Sequence, residues 1–393
     1  MVSFLHAGDV HLGNPFSGLS RQLNKKFEKA VLNATYDAFR AMVNSAIERR
    51  VDFVVFPGDL LHGSGNSAKI EATLSQAFLD LDEAGIQVLL SYGNHDYQAQ
   101  NEQGRSWPEN VHVFGNEVET VVLASRAGEK VAFTGFSYAD RMEKTDRLST
   151  YPMRAANVDY QIGLYHGSLG QAGRDQYAAF SLQDMLQKGY DYWALGHIHQ
   201  REILHEKPFI AYSGNLQGLN RKELGQKGCY LVQTSDQGEL TPTFLDFTQV
   251  LWDKVEYEDV PSFDALVSRL KNAGTDQPTL LSVAMTGEVG DDLHSADAKG
   301  QLLEQVQSLN FAHPVWPVNV SVVHEQKTEK PAFASMSFDE AVQDVLQEDD
   351  VLAALLTNQV PLELRQYFLS NEGKKAIKDR LTVLLEGGEG HED

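Results

Sequence analysis

The stretch Phe4-Leu-His-Ala-Gly-Asp-Val-His-Leu-Gly13 runs from an apolar segment into an Asp-x-His turn. The arrangement recurs along the chain, where runs rich in β-branched or aromatic residues end in short polar clusters. Such runs are typical of strands buried on both faces. Residues just beyond such strands lie in the crevice where open α/β sheets bind ligands. The runs are residues 2–6, 51–57, 86–92, 161–165 and 190–195.

The polar clusters share one composition, since each contributes Asp, Asn or His. Taken singly, an Asp-x-His pair or a Gly-Asn-His-Asp segment is usually only a turn. Repeated in this order after predicted strands, they are typical of a two-metal site. The clusters are Asp9 with His11, Gly58-Asp59-Leu-Leu-His62, Gly93-Asn94-His95-Asp96, His166, and Gly196-His197-Ile-His199.

The donor types narrow the choice of metal. Oxygen from Asp and Asn with imidazole nitrogen suits Mn²⁺, Fe²⁺ or Zn²⁺, and argues against a Cys-bound structural zinc or an all-oxygen calcium site. Of these three ions, Mn²⁺ is our first choice. Two ions about 3.5–4 Å apart need a bridging carboxylate, and Asp59 is the natural bridge. Two dications against Asp9 and Asp59 leave an electropositive site suited to a phosphate and a bound hydroxide.

The order Asp-x-His, Gly-Asp, Gly-Asn-His-Asp, His, Gly-His-x-His resembles that of the calcineurin-like metallophosphoesterases, over about residues 1–250. Within them the chain is most similar to the DNA repair exonuclease branch of Mre11- and SbcD-like proteins, and most narrowly to the YhaO-type proteins of Firmicutes. The features that carry this likeness are the opening Phe-Leu-His-x-x-Asp-x-His-Leu-Gly, His62 three residues after Asp59, and Tyr212-Ser-Gly-Asn-Leu-Gln-Gly218 followed by Gly228-Cys-Tyr-Leu-Val232.

The resemblance implies a role for each polar position. His95 would contact the scissile phosphate and protonate the leaving oxygen, with Asp96 orienting its ring. His62 would help position the phosphate, although a histidine there could also simply start a helix. A hydroxide bridging the two ions would attack in line. The resemblance gives one ion to Asp9, His11, Asp59 and His199, and the other to Asp59, Asn94, His166 and His197.

His6 is interpreted differently, because it lies inside the first predicted strand. A buried histidine at such a position satisfies a core hydrogen bond more often than it binds a metal.

The remaining elements predict an α/β fold, a two-sheet β-sandwich core flanked by helices. Helical spacing predicts helices over residues 20–50 and 68–84. In the nuclease branch helices in this part pair two subunits, which implies a homodimer; the alternative is that they only cover the sheet. The further predicted strands are residues 111–114, 120–123, 130–136, 208–213, 228–234 and 241–247.

Three parts follow one another along the chain. Residues 1–250 are the expected catalytic domain, and residues 251–325 form a small α+β unit where the nuclease branch has a cap. A polar linker at 325–331 precedes a helical segment at 332–393, which either packs on its own domain or docks a Rad50- or SMC-like ATPase. Three strands are predicted from residue 250 onward, one that begins at residue 250 and two at residues 279–285 and 318–323. The predicted helices are residues 262–272, 296–309, 338–346, 351–356 and 362–385.

Charge argues against tight binding of long DNA by this chain alone. Of 393 residues with a formal net charge of −22, residues 1–250 hold 22 Lys and Arg against 29 Asp and Glu, and residues 251–393 hold 11 against 26. Phosphate contacts need basic residues. Arg221, Lys222 and Lys227 could contact a nucleic-acid backbone, or are solvated surface charges.

Composition also predicts a location. No apolar stretch approaches the ~18 residues of a membrane span, and the start lacks a signal core. The single cysteine, Cys229, excludes an internal disulfide framework and favours a reducing cytoplasm.

We therefore expect a Mn²⁺-dependent phosphodiester hydrolase, a DNA exonuclease working in repair or processing beside an ATPase. A phosphatase or phosphodiesterase for a small nucleotide is the first alternative, and the acidity favours it. A catalytically silent scaffold is the second, and the complete ligand set argues against it.

Overall fold

The structure is a computed structural model that describes residues 1–16, 19, 23–63, 67–98, 107–171, 175–273, 277–309, 314–323, 367, 370 and 372–375. The chain divides into two compact units, Met1–Val323 and His324–Asp393. The predicted linker and nearly all of the predicted C-terminal helices lie outside the described residues. No helix among the described residues is long and apolar enough to cross a membrane.

The first unit alternates strands and helices as the apolar runs predict. The strands are β1 Ser3–His6, β2 Phe53–Pro57, β3 Gln87–Ser91, β4 Val111–Val113, β5 Glu119–Ala124, β6 Lys130–Gly135, β7 Tyr160–His166, β8 Tyr192–Gly196, β9 Glu202–Glu206, β10 Phe209–Tyr212, β11 Gly228–Thr234, β12 Leu240–Asp246, β13 Leu251–Glu258, β14 Thr279–Thr286 and β15 Val315–Val322. The helices are α1 Lys25–Arg49, α2 Ala68–Glu83, α3 Arg147–Thr150, α4 Leu182–Gln187, α5 Phe263–Asn272, α6 Asp291–Ala298 and α7 Leu302–Ser308.

The first sheet has six strands in the order β12-β11-β1-β2-β3-β4. β1 to β4 are parallel, whereas β11 is antiparallel to β1 and β12 to β11. All five residues of β2 are buried, which is why a continuous apolar run encodes it. α1 and α2 cover the outer face, where Phe39 and Phe78 join the core beneath them.

The second sheet also has six strands, in the order β5-β6-β7-β8-β10-β9. β6, β7, β8 and β10 are parallel, and the edge strands β5 and β9 are antiparallel to their neighbours. Its outer face packs on α3 and α4 through Leu148 and Met185, which meet Tyr165 and Trp193 in one apolar cluster.

The two sheets pack face to face around a shared core. Phe4, Phe53 and Val55 of the first sheet meet Phe133 and Ile162 of the second. The rings of Phe53 and Phe133 lie 4.8 Å apart at 62°. Full burial of each such side chain contributes roughly 1.5–3 kcal/mol. The two-sheet core flanked by helices confirms the predicted fold class.

A third, three-stranded sheet follows, in the parallel order β13-β14-β15. α5, α6 and α7 pack on it around an apolar core that includes Leu266, Leu293 and Val306. A separate cap domain with a boundary at residue 250 remains a proposal.

One prediction of local structure was wrong, and three elements were not predicted. The helix predicted over residues 296–309 is two helices, α6 and α7, because Gly300 between them has φ +65°, a conformation that glycine adopts freely. The elements that were not predicted are β9, α3 and α4. β9 is a largely exposed edge strand, so it lacks the apolar run that marks the buried strands.

Candidate metal centre

The predicted ligands lie where strands of both sheets end. Asp9 and His11 follow β1, Asp59 follows β2, Asn94 follows β3, and His197 follows β8. His166 is the last residue of β7. Because the strands within each set are parallel, their carboxyl ends share one edge of each sheet. The two edges meet at the site, where Asn94 of the first sheet contacts His166 and His197 of the second.

The loops that carry these side chains have unusual backbone conformations. Asp9, His11, Asp59 and His197 have φ of 50°, 46°, 52° and 102°. Positive φ is uncommon for residues other than glycine and costs of order 1–3 kcal/mol at each position. Hydrogen bonds hold the strained loops together, including one from the His11 N–H to the Asp59 carbonyl at 3.0 Å. Four such residues in one cluster favour a functional origin for the strain.

Asp9, His11 and His199 form the first half of the site. The Nε2 atoms of His11 and His199 lie 2.9 Å apart, and these two rings and the Asp9 carboxylate offer donor atoms within 4.8 Å of one another. Asp9 is held in place by the backbone N–H of His197, which lies 2.8 and 3.1 Å from its two oxygens.

Asn94, His166 and His197 form the second half. The Asn94 Oδ1 atom lies 2.9 Å from His166 Nε2 and 3.1 Å from His197 Nδ1. Asp59 lies between the halves, with its Oδ2 atom 3.7 Å from His11 Nε2 and 3.4 Å from His166 Nε2. Asp59 thus lies within 3.7 Å of a predicted ligand from each half, and its bridging role stays a prediction.

Glycines allow the loops to close around the His166 ring. A Cβ atom added at Gly58 would lie 2.2 Å from His166 Nδ1. One added at Gly93 would lie 2.3 Å from Asp59 Oδ1 and 2.6 Å from the same ring. Any larger residue at Gly93 would displace two predicted ligands, which explains why glycine precedes Asn94.

His62 and His95 stack over the first half of the site. Their ring centroids are 5.6 Å apart at 21°, and the His95 ring meets that of His11 edge-on at 4.8 Å. Asn14 Nδ2 lies 3.3 Å from His62 Nδ1. The His95 N–H donates to Asp59 Oδ1 at 2.9 Å, so the backbone of His95 is tied to the central carboxylate.

Asp96 contacts backbone groups. Its oxygens accept the N–H of Gly93 at 2.6 Å and that of Leu61 at 3.1 Å. Among the described residues, these two backbone N–H groups donate hydrogen bonds to Asp96, and its hydrogen bonds do not include one with the His95 ring. Burial, with the nearby charge of Asp59, raises the pKa of Asp96 to about 7. Orientation of the His95 ring by Asp96 therefore remains a prediction, and the structure supports a role in holding the two loops together.

The electrostatics centre on Asp59 and His166. Burial lowers the pKa of His166, but the adjacent Asp59 carboxylate outweighs that effect and raises it to about 9. In return, burial raises the pKa of Asp59, but the charge and the hydrogen bond of His166 outweigh burial and hold that pKa below its usual value. Burial and the neighbouring His166 lower the pKa of His197 to about 3.

The profile of the calcineurin-like phosphoesterase family matches residues 2–201. The chain belongs to this family. The metallophosphoesterase YhaO of Bacillus subtilis is 32% identical to this phosphoesterase over 98% of the chain and 97% of the relative. The DNA double-strand break repair protein Mre11 of Methanocaldococcus jannaschii is 26% identical, over 69% of this chain and 73% of its own.

A solved structure, that of a dimetal phosphatase from Danio rerio, aligns with a TM-score of 0.37 and 10% identity. It covers 63% of this phosphoesterase and 99% of its own chain. The predicted family and its likeness to YhaO and Mre11 are confirmed by the sequence comparisons.

The donor set fits a pair of divalent ions. The lone pairs of His11 Nε2 and His199 Nε2 would repel each other at 2.9 Å. A proton or a cation between the two nitrogens removes that repulsion. Two carboxylates, one amide oxygen and four imidazoles are the mixed donors that Mn²⁺, Fe²⁺ and Zn²⁺ accept. The family and these residues support metal binding by the phosphoesterase.

Two observations concern residues outside the predicted set. His6 lies in the core, with Nδ1 3.0 Å from the Tyr192 hydroxyl and Nε2 3.0 Å from the Leu195 carbonyl, as the sequence predicts. Glu223 was missed, although its Oε1 atom lies 2.9 Å from His199 Nδ1. The only sequence signal near it is the segment Tyr212-Ser-Gly-Asn-Leu-Gln-Gly218, which carries the resemblance but no predicted role.

Proposed function

We propose that this phosphoesterase is a metal-dependent phosphodiesterase that uses two divalent ions to degrade DNA from its ends. Among Mn²⁺, Fe²⁺ and Zn²⁺, we expect Mn²⁺ to be the ion used. The observation that carries the proposal is the convergence of the predicted ligands around Asp59, with His62 and His95 stacked beside them. A scaffold without catalytic activity would not need this arrangement.

Each residue of the site has a proposed task. Asp9, His11, Asp59 and His199 would hold one ion, and Asp59, Asn94, His166 and His197 the other. When bound, the ions supply positive charge and an activated water for in-line attack on a phosphodiester. His95 would donate a proton to the leaving oxygen, and His62, stacked against its ring, would position the phosphate. Asp96 would fix the loop on which His95 lies.

DNA as the substrate rests on relatives and on the sequence pattern. The Mre11 proteins similar to this chain are named for repair of DNA double-strand breaks. Arg221 and Lys222 lie exposed between β10 and β11, where they could contact a backbone. A homodimer through α1 and α2 and docking of a Rad50- or SMC-like ATPase on residues 332–393 are parts of the same proposal.

The second candidate is a phosphatase or phosphodiesterase for a small nucleotide. The net charge of −22 favours it, because an acidic surface repels a long polyanion more strongly than a small one.

One assay separates the candidates. The full chain would be incubated with Mn²⁺ and linear duplex DNA, closed circular duplex DNA, single-stranded DNA or bis-p-nitrophenyl phosphate. We expect shortening of linear DNA, no cleavage of the closed circle, and a loss of 10²-fold or more in His95→Ala. His205→Ala is the matched control, since His205 contacts Pro208 in the β9–β10 turn and should retain activity.

Other results would redirect the proposal. Hydrolysis of the small diester but of neither linear DNA would favour the second candidate, unless an added ATPase partner restores DNA cleavage. Absence of hydrolysis with Mn²⁺, Fe²⁺ and Zn²⁺ would favour the scaffold.

A further inference from the structure

We infer that Glu223 is a positioning residue, which fixes the proton and the orientation of the His199 ring so that Nε2 faces the metal centre. The inference rests on the proposed two-metal site, and it adds a residue that lies outside every predicted cluster.

The contact between the two side chains is direct and largely shielded from water. Glu223 Oε1 lies 2.9 Å from His199 Nδ1, and the Glu223 side chain is 11% exposed. On the opposite side of the ring, His199 Nε2 faces His11 Nε2 at 2.9 Å. The imidazole is therefore held between a carboxylate and the donor atoms of the site.

Hydrogen bonds define the protonation of both groups. Besides His199, Glu223 accepts the side-chain amides of Asn215 at 2.5 Å and Asn220 at 2.6 Å, and the Leu219 N–H at 2.8 Å. A carboxyl that accepts on both oxygens is an acceptor only. Nδ1 must then carry the proton, which leaves the lone pair of neutral His199 on Nε2, as a metal ligand requires.

The segment that carries Glu223 is anchored at both ends, so the carboxylate has a defined position. The Asn215 N–H donates to the His199 carbonyl at 3.2 Å, and Lys227 Nζ donates to the same oxygen at 3.1 Å. The Gly225 N–H donates to the carbonyl of Trp252 in β13 at 3.0 Å, and Trp252 Nε1 donates to the Gly218 carbonyl at 2.9 Å. These bonds explain the segment from Tyr212 to Gly218 as a support for His199.

The test measures Mn²⁺ binding to the full chain by isothermal titration calorimetry, independently of DNA cleavage. Glu223→Gln should lower the affinity for one of the two Mn²⁺ ions by roughly 10–100-fold and leave the affinity for the other unchanged. Glu239→Gln is the matched control, because Glu239 pairs with Lys207 on the surface. In a His199→Gln background, Glu223→Gln should add no further loss, since both changes then act on the same ligand.

The inference would be overturned if Glu223→Gln bound each of the two ions as tightly as the unaltered chain does. An additional loss of affinity from Glu223→Gln in the His199→Gln background would also overturn it. So would an unaltered chain that binds no Mn²⁺. If two ions bind but no DNA is cleaved, only the proposed function fails. Should Glu223→Gln not fold, ¹⁵N chemical shifts of the His199 ring in the metal-free chain provide the test. At a pH where the ring is neutral, a proton on Nδ1 supports the inference, and a proton on Nε2 instead overturns it.

Discussion

Without bound metal, the protein should lose stability as the pH rises from 7 to 9, and His166 should be a principal cause. The pKa of His166 is raised from 6.5 to about 9 when the chain folds, because Asp59 outweighs the effect of burial. A group whose pKa is higher in the folded state stabilises it fully below the unfolded pKa. That contribution is lost as the pH rises through the folded value.

The size of the effect follows from the pKa. A shift of one unit corresponds to about 1.4 kcal/mol, so His166 should contribute a loss of about 2 kcal/mol in unfolding free energy between pH 7 and pH 9. Asp96, with a pKa of about 7, loses the rest of its proton within this window and adds a smaller loss in the same direction. Burial lowers the pKa of His199, but the hydrogen bond of Glu223 and the charge of Asp9 outweigh burial and raise it. His199 therefore acts in the same direction as His166.

Urea unfolding followed by tryptophan fluorescence, in the presence of a chelator, measures this loss. The His166→Gln variant should show a decline smaller by about 2 kcal/mol. With saturating Mn²⁺ the decline between pH 7 and pH 8 should disappear, because a ligating imidazole has already lost its proton. A flat profile for the unaltered chain in chelator, or equal slopes for it and His166→Gln, would refute the statement that Asp59 raises the pKa of His166 in the folded chain.

Three further results are expected. Asp59→Ala should lose both ions, because Asp59 Oδ2 lies within 3.7 Å of His11 and 3.4 Å of His166; retention of two ions by mass spectrometry of the dialysed protein would contradict a bridging role. Gly93→Ala should cost roughly 1–3 kcal/mol in urea unfolding and weaken Mn²⁺ binding, since the new Cβ would lie 2.3 Å from Asp59 Oδ1, whereas Gly115→Ala, with 3.9 Å to its nearest neighbour, should do neither. Cys229 is buried, and burial raises the pKa of its thiol, so a disulfide reagent should modify it only after unfolding; rapid labelling of the native chain would contradict its burial.

Much of the core could be predicted because the buried strands have a strong local signal. β2 and β8 are continuous apolar runs in sequence and are buried throughout in the structure. The signal was weaker where elements are short or exposed, as in β9, and where a glycine interrupts a helical pattern, as at Gly300. Local pattern thus identifies an element in proportion to the apolar surface that it buries.

The sequence by itself determined the family, the buried strands that precede the site and the donor types after each, because a residue that follows a parallel strand has only one edge of the sheet to occupy. Only the tertiary structure decided which donors face each other. It placed Asp59 between His11 and His166, gave the oxygens of Asp96 to backbone N–H groups, and brought Glu223 to His199. Those contacts join segments that are distant along the chain, so they depend on how the two sheets and their loops pack, which local periodicity does not encode.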